Sequence, residues 1–364
     1  MHKTAEPSWQ DPKRWLWLLS PALPLLVAWH LVKFIQTGQT HWLFLMSIVM
    51  YGVIPVLDAL LGPDRSNPPE EAVAGLEQSI WHRAVVVAYI PSQYAATLLG
   101  LWIAATMNLS GWQWLGLVLS VGGVNGIAIN TAHELGHKRP SWERALSLLT
   151  LAPVIYGHFF VEHNRGHHLR VATPQDPASA RLGESFWAFL PRTVVGGLRS
   201  AWQIDRRQCL QAWCLSLLFY AAVVAWLGFA VLPFALVQAL YGISLLEVVN
   251  YIEHYGLLRS RGADGRVERC GPQHSWNSDH VVSNLFLYQL QRHSDHHAHP
   301  GRRYQALRHF DSSPQLPMGY AGMLMLAYLP PLWFKVMDAR VAAHYGGELG
   351  RANRGQASKV ESVG

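Results

Sequence analysis

The 364-residue chain is poor in charged residues and in cysteine. Only 14% of its residues are Asp, Glu, Lys or Arg, whereas 50% are hydrophobic, a composition that argues against two or three ordinary soluble domains. The three cysteines, Cys209, Cys214 and Cys270, include no C-x-x-C pair. That pattern excludes a built-in metal module of the C-x-x-C type and argues against a disulfide framework. Residues 1–14 are polar and precede the first apolar run directly, so that run is expected to be retained rather than cleaved.

The chain is rich in long apolar runs and in tryptophan, of which it has 16. About 20 helical residues are needed to cross the hydrocarbon core of a bilayer. Six runs reach that length, and we predict an all-α integral membrane protein with spans at 15–34, 42–61, 84–107, 114–130, 212–229 and 232–252. The net charge of +6 is assigned to membrane topology and not to a nucleic-acid partner.

Basic residues fall on one side of this topology. The connections at 36–41, 108–113 and 228–233 contain no Lys or Arg, so they are expected outside the cytoplasm. The chain then divides into a cytoplasmic N-terminus (1–14), four spans (15–132) with a cytoplasmic connector (62–83), a cytoplasmic region (133–211), two spans (212–252), a second cytoplasmic region (253–346) and a polar tail (347–364).

Histidines gather where the expected helices leave the bilayer on the cytoplasmic side. The segments 130–137 and 162–168 each hold two imidazoles four residues apart, and the second adds a third ring. A His-Tyr-Gly motif at 254–256 follows the sixth span, and 290–298 reads Leu-Gln-Arg-His-Ser-Asp-His-His-Ala. Because residues three or four apart share a helix face, one folded site is expected to gather nine rings: His133, His137, His163, His167, His168, His254, His293, His296 and His297.

Each motif alone has a simpler explanation. His-Glu-Leu-Gly-His at 133–137 fits the H-E-x-x-H pattern of zinc metalloproteases, with Glu134 as general base, and 290–298 can be read as a solvated polar patch. A catalytic zinc needs only three protein ligands, which leaves most of the rings unexplained. Nine rings suggest more than one metal, and imidazole suits zinc, copper, nickel and iron alike. A site at the end of an apolar helix bundle favours oxygen chemistry on a lipid-soluble substrate over peptide hydrolysis.

These motifs resemble those of the integral-membrane alkane 1-monooxygenases. The resemblance rests on His-Glu-Leu-Gly-His-Lys (133–138), Glu-His-Asn-Arg-Gly-His-His (162–168) with Val-Ala-Thr-Pro-Gln-Asp-Pro (171–177), the segment 250–257 and the run 290–300. It extends from the first span to about Gly347 and includes 66–71, 275–277 and 303–307. More distantly, the chain is similar to membrane fatty-acid desaturases and xylene monooxygenases, which share three histidine boxes.

The resemblance implies a non-haem diiron centre, without flavin or haem, held by the nine histidines in a four-and-five division. Acidic and amide side chains near the boxes are expected to accept the free N–H of a ligand ring or to orient it. These candidates are Glu134, Glu162, Asp176, Asn250, Glu253, Asn284 and Asp295, with Asn130 in a similar role. For Glu134 and Asp295 a charge on a helix surface is the alternative.

The implied reaction inserts one oxygen atom of dioxygen into the terminal C–H bond of a medium-chain n-alkane and yields a primary alcohol and water. Electrons are expected from a separate rubredoxin, itself reduced by a rubredoxin reductase, and the site is expected on the cytoplasmic face of a bacterial inner membrane. An acidic carrier would suit a basic face formed by Arg165, Arg170, Arg292, Arg302 and Arg303, although arginines placed for topology would look the same.

An apolar channel among the spans should present the alkane to the metals. Its expected wall residues are Met50, Ile54, Leu57, Val121, Ile127 and Leu246, with Met50 as a length gate, and simple helix packing is the alternative for each. Two other function classes stay open on sequence alone. One is a related hydroxylase or desaturase acting on alkylaromatic or acyl substrates, and the other is a non-catalytic metal-binding or transport protein.

Overall fold

The computed structural model describes residues 9–355. Residues 1–8 and 356–364, which include the start of the N-terminus and half of the expected polar tail, lie outside the described residues. Between Trp9 and Gly355 the chain forms helices and turns, with no β-strand beyond isolated bridges such as Pro63 with His280. The prediction of an all-α fold is therefore confirmed.

The helices follow one another with short connections, except after α7, α10 and α12, where long loops intervene. In chain order they are α1 (Leu16–Thr37), α2 (Thr40–Leu61), α3 (Glu70–Gln78), α4 (Ile80–Thr106), α5 (Gly111–Gly136), α6 (Ser141–Leu151), α7 (159–170), α8 (Phe186–Ile204), α9 (Arg206–Leu227), α10 (Phe229–His254), α11 (Val281–Phe286), α12 (His293–Ala298), α13 (Tyr320–Ala327) and α14 (Pro330–His344).

Six of these helices, α1, α2, α4, α5, α9 and α10, are long and apolar enough to cross a membrane. Large apolar side chains such as Leu60 and Leu217 are exposed on their outer faces. Trp112 and Trp226 are also exposed near helix ends, where amphipathic rings suit the membrane interface. The chain is thus an integral membrane protein whose apolar outer faces match a lipid environment.

Three of the expected span boundaries are corrected. The fourth span continues to Gly136 and the sixth to His254, so His133 and His254 lie within membrane-length helices and not after them. These polar last turns are buried at the centre of the bundle, which hydropathy cannot indicate. The fifth span begins at Arg206 and not at 212, because the Asp205 side chain accepts a hydrogen bond from Gln208 N at 3.0 Å and caps a polar first turn.

The central helix α5 packs closely against α10. A Cβ added at Gly126 would lie 2.9 Å from Leu245 Cδ1 and 3.1 Å from the backbone oxygen of Gly242, so the small residue permits this helix contact. Asn125 Nδ2 donates to Gln238 Oε1 at 2.7 Å in the same interface. Together these contacts fix α5 and α10, which carry the first and third histidine motifs.

The connector between α2 and α3 holds the loop that precedes α12. The guanidinium of Arg292 is buried and donates to the backbone oxygens of Leu307, Asp64 and Ser66 at 2.8, 2.9 and 3.0 Å. A single side chain thereby joins three segments distant in sequence. The short helix α12 thereby lies beside the C-terminal ends of α5 and α10, where His296 faces His133 and His293 faces His254.

Candidate metal centre

The structure brings the nine histidines of the four motifs together and divides them into two groups. Within each group, one donor atom per residue lies within 4.8 Å of the others. The five-ring group consists of His133, His137, His163, His168 and His296. The four-ring group consists of His167, His254, His293 and His297. A division into five and four agrees with the expectation, while the role of each ring as a ligand stays a prediction.

A π-helical turn in α7 determines which of its three histidines belong to which histidine group. Residues His163–His167 are π-helical, and such turns bring residues five apart, rather than four, onto one face. His163 Nε2 therefore lies 3.1 Å from His168 Nε2, while His167 faces the other group. The four-residue spacing of His163 and His167 suggested a shared face, and the π-turn separates them.

The other helices divide their rings by ordinary α-helical spacing. In α5, His133 and His137 are one turn apart and join the same group. In α12, His293 and His297 belong to the four-ring group, and His296 crosses to the five-ring group, where its Nε2 lies 2.9 Å from that of His133. One six-residue helix thus supplies ligand candidates to both groups.

The spacing of the ring nitrogens fits metal coordination. The Nε2 atoms of His254 and His293 are 3.2 Å apart, and those of His297 and His293 are 2.9 Å apart. Two nitrogen ligands at about 2.1 Å from one ion and at right angles to each other are separated by about 3 Å. Each group could therefore hold a metal ion.

The protonation state of the rings also suits a metal. Burial lowers the pKa of His163, His293, His296 and His297 well below the usual range, and neighbouring ring charges lower it further. A metal binds the neutral imidazole. These rings are therefore neutral, as metal binding requires, at any ordinary pH.

A carboxylate orients one ring of the four-ring group. His167 Nδ1 lies 2.9 Å from Asp176 Oδ2, and Ser179 Oγ donates to the same oxygen at 2.6 Å. Burial raises the pKa of Asp176, but His167 and Ser179 outweigh that effect and lower it to about 2. The ionised Asp176 therefore fixes the tautomer in which His167 Nε2 is free for a metal.

A second carboxylate lies against the same group. Glu253 Oε2 is 3.1 Å from His293 Nε2, and Tyr320 donates its hydroxyl to Glu253 Oε1 at 2.8 Å. Asp176 contacts a ring nitrogen as expected, whereas Glu253 contacts the His293 nitrogen that faces His254 and His297 and so does not accept the free N–H of that ring. Both carboxylates contact the four-ring group and neither contacts the five-ring group.

Other residues expected to orient rings contact different groups, which is a correction. Glu134 pairs with Lys138 Nζ at 3.0 Å, and Glu162 with Arg170 at 2.8 Å. Asp295 lies between two ligand candidates in sequence, but its side chain points away from the ring cluster and binds Arg302 at 2.7 Å.

The amide side chains are corrected in the same way. Asn130 donates to Leu287 O at 2.7 Å, Asn250 to Glu247 at 3.1 Å and Asn284 to Ser278 O at 3.1 Å. Each amide anchors the backbone or a carboxylate close to the site. None of the three donates to a ligand-candidate ring.

An apolar cavity of about 60 Å³ lies among α2, α5, α10, α11 and α13. Four of the expected channel residues line it, namely Met50, Ile54, Ile127 and Leu246. Its other walls, which the sequence did not indicate, are Gly126, Asn130, Leu245, Val249, Ser283, Phe286, Leu287, Leu290, Ala321 and Leu324.

The prediction that Leu57 and Val121 line the channel is wrong. Leu57 is exposed on the outer face of α2, and Val121 is buried between helices, where its methyl group occupies the space beside Gly100. Both face away from the cavity because the α2 and α5 registers place only every third or fourth residue toward it.

A basic cleft of about 520 Å³ reaches the five-ring group from outside. It is lined by Glu77, His137, Lys138, Arg139, Pro140, His299, Pro300, Gly301, Arg302 and Arg303. Only Arg302 and Arg303 of the expected basic face line this cleft, and Arg303 is a buried partner of Glu143 at 2.8 Å. The other three arginines are corrected, because Arg292 is buried and Arg165 and Arg170 pair with Asp205 and Glu162. His137 is partly exposed, so a ligand candidate is accessible from this cleft.

Comparison with known proteins gives consistent matches. A fatty acid desaturase family model matches residues 110–327. An alkane 1-monooxygenase of Acinetobacter baylyi is 46% identical over 94% of this chain and 88% of its own length, and one of Pseudomonas putida is 42% identical over 98% and 92%. The hydroxylase component of a xylene/toluene monooxygenase of Pseudomonas putida is 25% identical over 86% of each chain.

Proposed function

The chain belongs to the alkane 1-monooxygenase family, within the wider fatty acid desaturase family, and on that basis we propose that it hydroxylates the terminal methyl group of medium-chain n-alkanes. The products are a 1-alkanol and water. Two iron ions, one in each histidine group, are the proposed cofactor. No flavin or haem is required.

The observation that carries this proposal is the position of the apolar cavity relative to the rings. Asn130 and Leu290 line the cavity, and each stands three residues before a ligand candidate, His133 and His293. The cavity wall therefore comes within three residues, along the chain, of a ring in each histidine group. A linear hydrocarbon lying in it would present one end to the metals.

The nine histidines would hold the iron, which when bound supplies the reductive activation of dioxygen. The protein itself orients the rings through Asp176 and excludes water from the hydrocarbon with a wall of Leu, Ile, Val, Phe and Met side chains. The amide of Asn130 is tied to the backbone oxygen of Leu287. This contact keeps the one amide of the wall from attracting water beside the methyl group.

The apolar wall supports an alkane over the alternative substrates. The cavity lining contains no charged side chain and only two polar residues, Asn130 and Ser283, so nothing in it binds the carboxylate of an acyl chain. The metalloprotease alternative loses its general base, because Glu134 is engaged by Lys138. A related hydroxylase acting on an alkylaromatic fits the same apolar wall and is separated by experiment.

Electrons are proposed to enter through the basic cleft. The lining contains the exposed Arg139 together with Lys138, Arg302 and Arg303, which pair with Glu134, Asp295 and Glu143. The charge of Arg139, unpaired among the described residues, lies beside an accessible ring and suits an acidic carrier such as rubredoxin. The partly exposed ring of His137 offers a short path from a carrier docked in the cleft to the five-ring group.

The cleft and the histidine groups are placed on the cytoplasmic face of a bacterial inner membrane. The connections between α1 and α2, α4 and α5, and α9 and α10 contain no Lys or Arg, whereas the loops on the histidine side contain many. Positive residues remain preferentially in the cytoplasm. We propose the same side for both termini, as an even number of spans requires.

The test supplies octane, an alkylaromatic and a free acyl chain to the iron-loaded enzyme with rubredoxin, its reductase and NADH. We expect 1-octanol from octane as the main product. An alkene from the acyl chain without any alcohol would identify a desaturase. Bound metal without product from any substrate would indicate a metal-binding protein and overturn the proposal.

A further inference from the structure

The helix α10 separates two cavities of opposite character. Leu246 and Val249 face the apolar cavity. Glu247 and Asn250, one residue further along, face a second cavity of about 20 Å³ between α7, α8 and α10. Successive helical residues point about 100° apart. One helix therefore presents a hydrocarbon surface and a polar surface to neighbouring spaces.

The polar cavity reaches both histidine groups. Its lining includes His163 of the five-ring group and His167 of the four-ring group. The remaining lining residues are Tyr156, His158, Phe159, Glu162, Pro177, Ala178, Thr193, Gly197, Glu247 and Asn250. Six of these residues have a side chain that can donate or accept a hydrogen bond, namely Tyr156, His158, Glu162, Thr193, Glu247 and Asn250.

Buried polar atoms in this cavity point to bound water. Neither ring nitrogen of His158 and not Glu162 Oε2 has a hydrogen-bond partner among the described residues, although both side chains are more than nine-tenths buried at 7% exposure. Burial lowers the pKa of His158 to about 4, so the neutral ring offers one donor and one acceptor. Such groups are normally satisfied by internal water, and a cavity of about 20 Å³ has room for about one water molecule.

A buried carboxyl group forms the inner wall. Glu247 is 2% exposed and accepts hydrogen bonds from Tyr156 at 2.7 Å, Thr193 at 2.8 Å and Asn250 at 3.1 Å. An ionisable residue within a membrane-length helix is costly and is by default a functional candidate. Glu247 lies two turns before His254, and it touches no ligand-candidate ring.

The outer wall connects the cavity to the surface. Glu162 Oε1 accepts from Arg170, which also donates to Ser200 at 2.5 Å. The Arg170 side chain is 30% exposed. Gly197 faces Glu162 across this passage, and a Cβ there would lie 3.7 Å from Glu162 Cγ. The pair of Glu162 and Arg170 therefore links the lining of the cavity to the partly exposed surface.

We propose that this polar cavity holds water and carries the protons that the reaction consumes to the histidine cluster, with Glu247 as a relay group. The inference rests on the proposed function, in which RH, O₂, two electrons and two protons give ROH and H₂O. The carrier supplies the two electrons, and the two protons come from bulk water. The apolar cavity cannot conduct them, because its lining has no continuous polar path.

The first experiment measures hydrogen–deuterium exchange of the Glu247 carboxyl group in the purified enzyme by infrared spectroscopy, with Glu247→Gln assigning the band. We expect the wild-type band to shift within seconds of transfer to D₂O. This readout requires no turnover. A wild-type Glu247 band that stays unexchanged for an hour would overturn the proposal.

The second experiment narrows the passage. Gly197→Val should slow the exchange of the Glu247 carboxyl group about tenfold or more. At unchanged iron content it should also divert reducing equivalents from octanol to hydrogen peroxide. Gly197→Ala, whose Cβ makes only an ordinary contact, should give smaller changes in the same direction. Val195→Leu, on the exposed face of the same helix, is the control and should leave both unchanged.

The outcomes distinguish the route from the proposed function. A wild-type enzyme that makes octanol while Gly197→Val and Gly197→Ala exchange at the wild-type rate overturns the proton route alone. A wild-type enzyme that exchanges rapidly but hydroxylates no substrate overturns the proposed function and, with it, the role of the route.

Discussion

The two histidine groups differ in what surrounds them. The four-ring group is fully buried and is contacted by both carboxylates, Asp176 and Glu253. Among the described residues no carboxylate contacts the five-ring group, and two of its rings, His137 and His168, are partly exposed. Under the proposed function, the four-ring group would depend on its surroundings to hold a metal, whereas the five-ring group would hold one by ligand number and would be accessible to the proposed electron carrier.

The strongest test of this comparison removes one ring from each group. His293→Ala leaves three rings in the four-ring group, so we expect loss of about half of the bound iron and of activity by more than about 100-fold, since even indirect ligand contacts are worth 10–100-fold. His168→Ala leaves four rings, and we expect both irons to be retained with a loss of about tenfold. Iron analysis and octanol formation measure the two effects. Equal iron loss in both variants would contradict the claim that the five-ring group tolerates the loss of one ring better than the four-ring group.

A second test removes the negative charge of Asp176, which contacts His167 of the four-ring group. Asp176→Asn should lower iron affinity or activity about 10–100-fold, because a neutral amide no longer fixes the His167 tautomer. Asp295→Asn is the matched control, since Asp295 lies between two ligand candidates in sequence but contacts Arg302 and not a ring. We expect its iron affinity within a few-fold of the wild type. A larger effect from Asp295→Asn than from Asp176→Asn contradicts the assignment.

The accessibility of the five-ring group is tested at its basic cleft. Arg139→Glu reverses a charge at the cleft and should raise the apparent KM for rubredoxin about three- to tenfold, with a weaker dependence on salt, because exposed charges are screened within about 10 Å at 0.1 M. Arg199→Glu, an exposed arginine that does not line the cleft, is the control. A KM that neither variant changes, or that both change equally, speaks against docking in the cleft.

The smallest expected effect is a change in stability with pH, and it concerns His158 in the polar cavity beside both histidine groups. Burial lowers the pKa of His158 to about 4, whereas an unfolded histidine titrates near 6.5. Between these values the unfolded state binds a proton that the folded state does not, so stability falls as pH falls from about 6.5 to about 4, by at most about 3 kcal/mol from this residue. Thermal unfolding at pH 7 and pH 5 should show a smaller difference in His158→Asn than in the wild type, and an unchanged difference would contradict the burial of a neutral ring.

Much of this site could be predicted from the sequence because it rests on local patterns. Six apolar runs indicate six spans, and the spacing of His133 with His137 and of His293 with His297 indicates shared helix faces, as the structure has them. Neither pattern needs knowledge of which helices are neighbours.

What could not be predicted depends on helix rotation and on distant contacts. The π-turn at His163–His167 has no recognisable signal in a single sequence, and it reverses the partnership that the four-residue spacing suggests. Asp295 is adjacent to ligand candidates in sequence but points away from the cluster, whereas Asp176 reaches a ring through a loop fold. Glu247 carried a readable signal, as a carboxylate within an apolar span, but only the structure shows the polar cavity that it lines.

The most direct test of the central claim is a turnover of octane under ¹⁸O₂ by enzyme of known iron content. The two-group site at the end of an apolar cavity predicts about two irons per chain and 1-octanol that carries one ¹⁸O atom. Octanol without the label, or labelled octanol from enzyme that holds a single iron in the five-ring group, would contradict it.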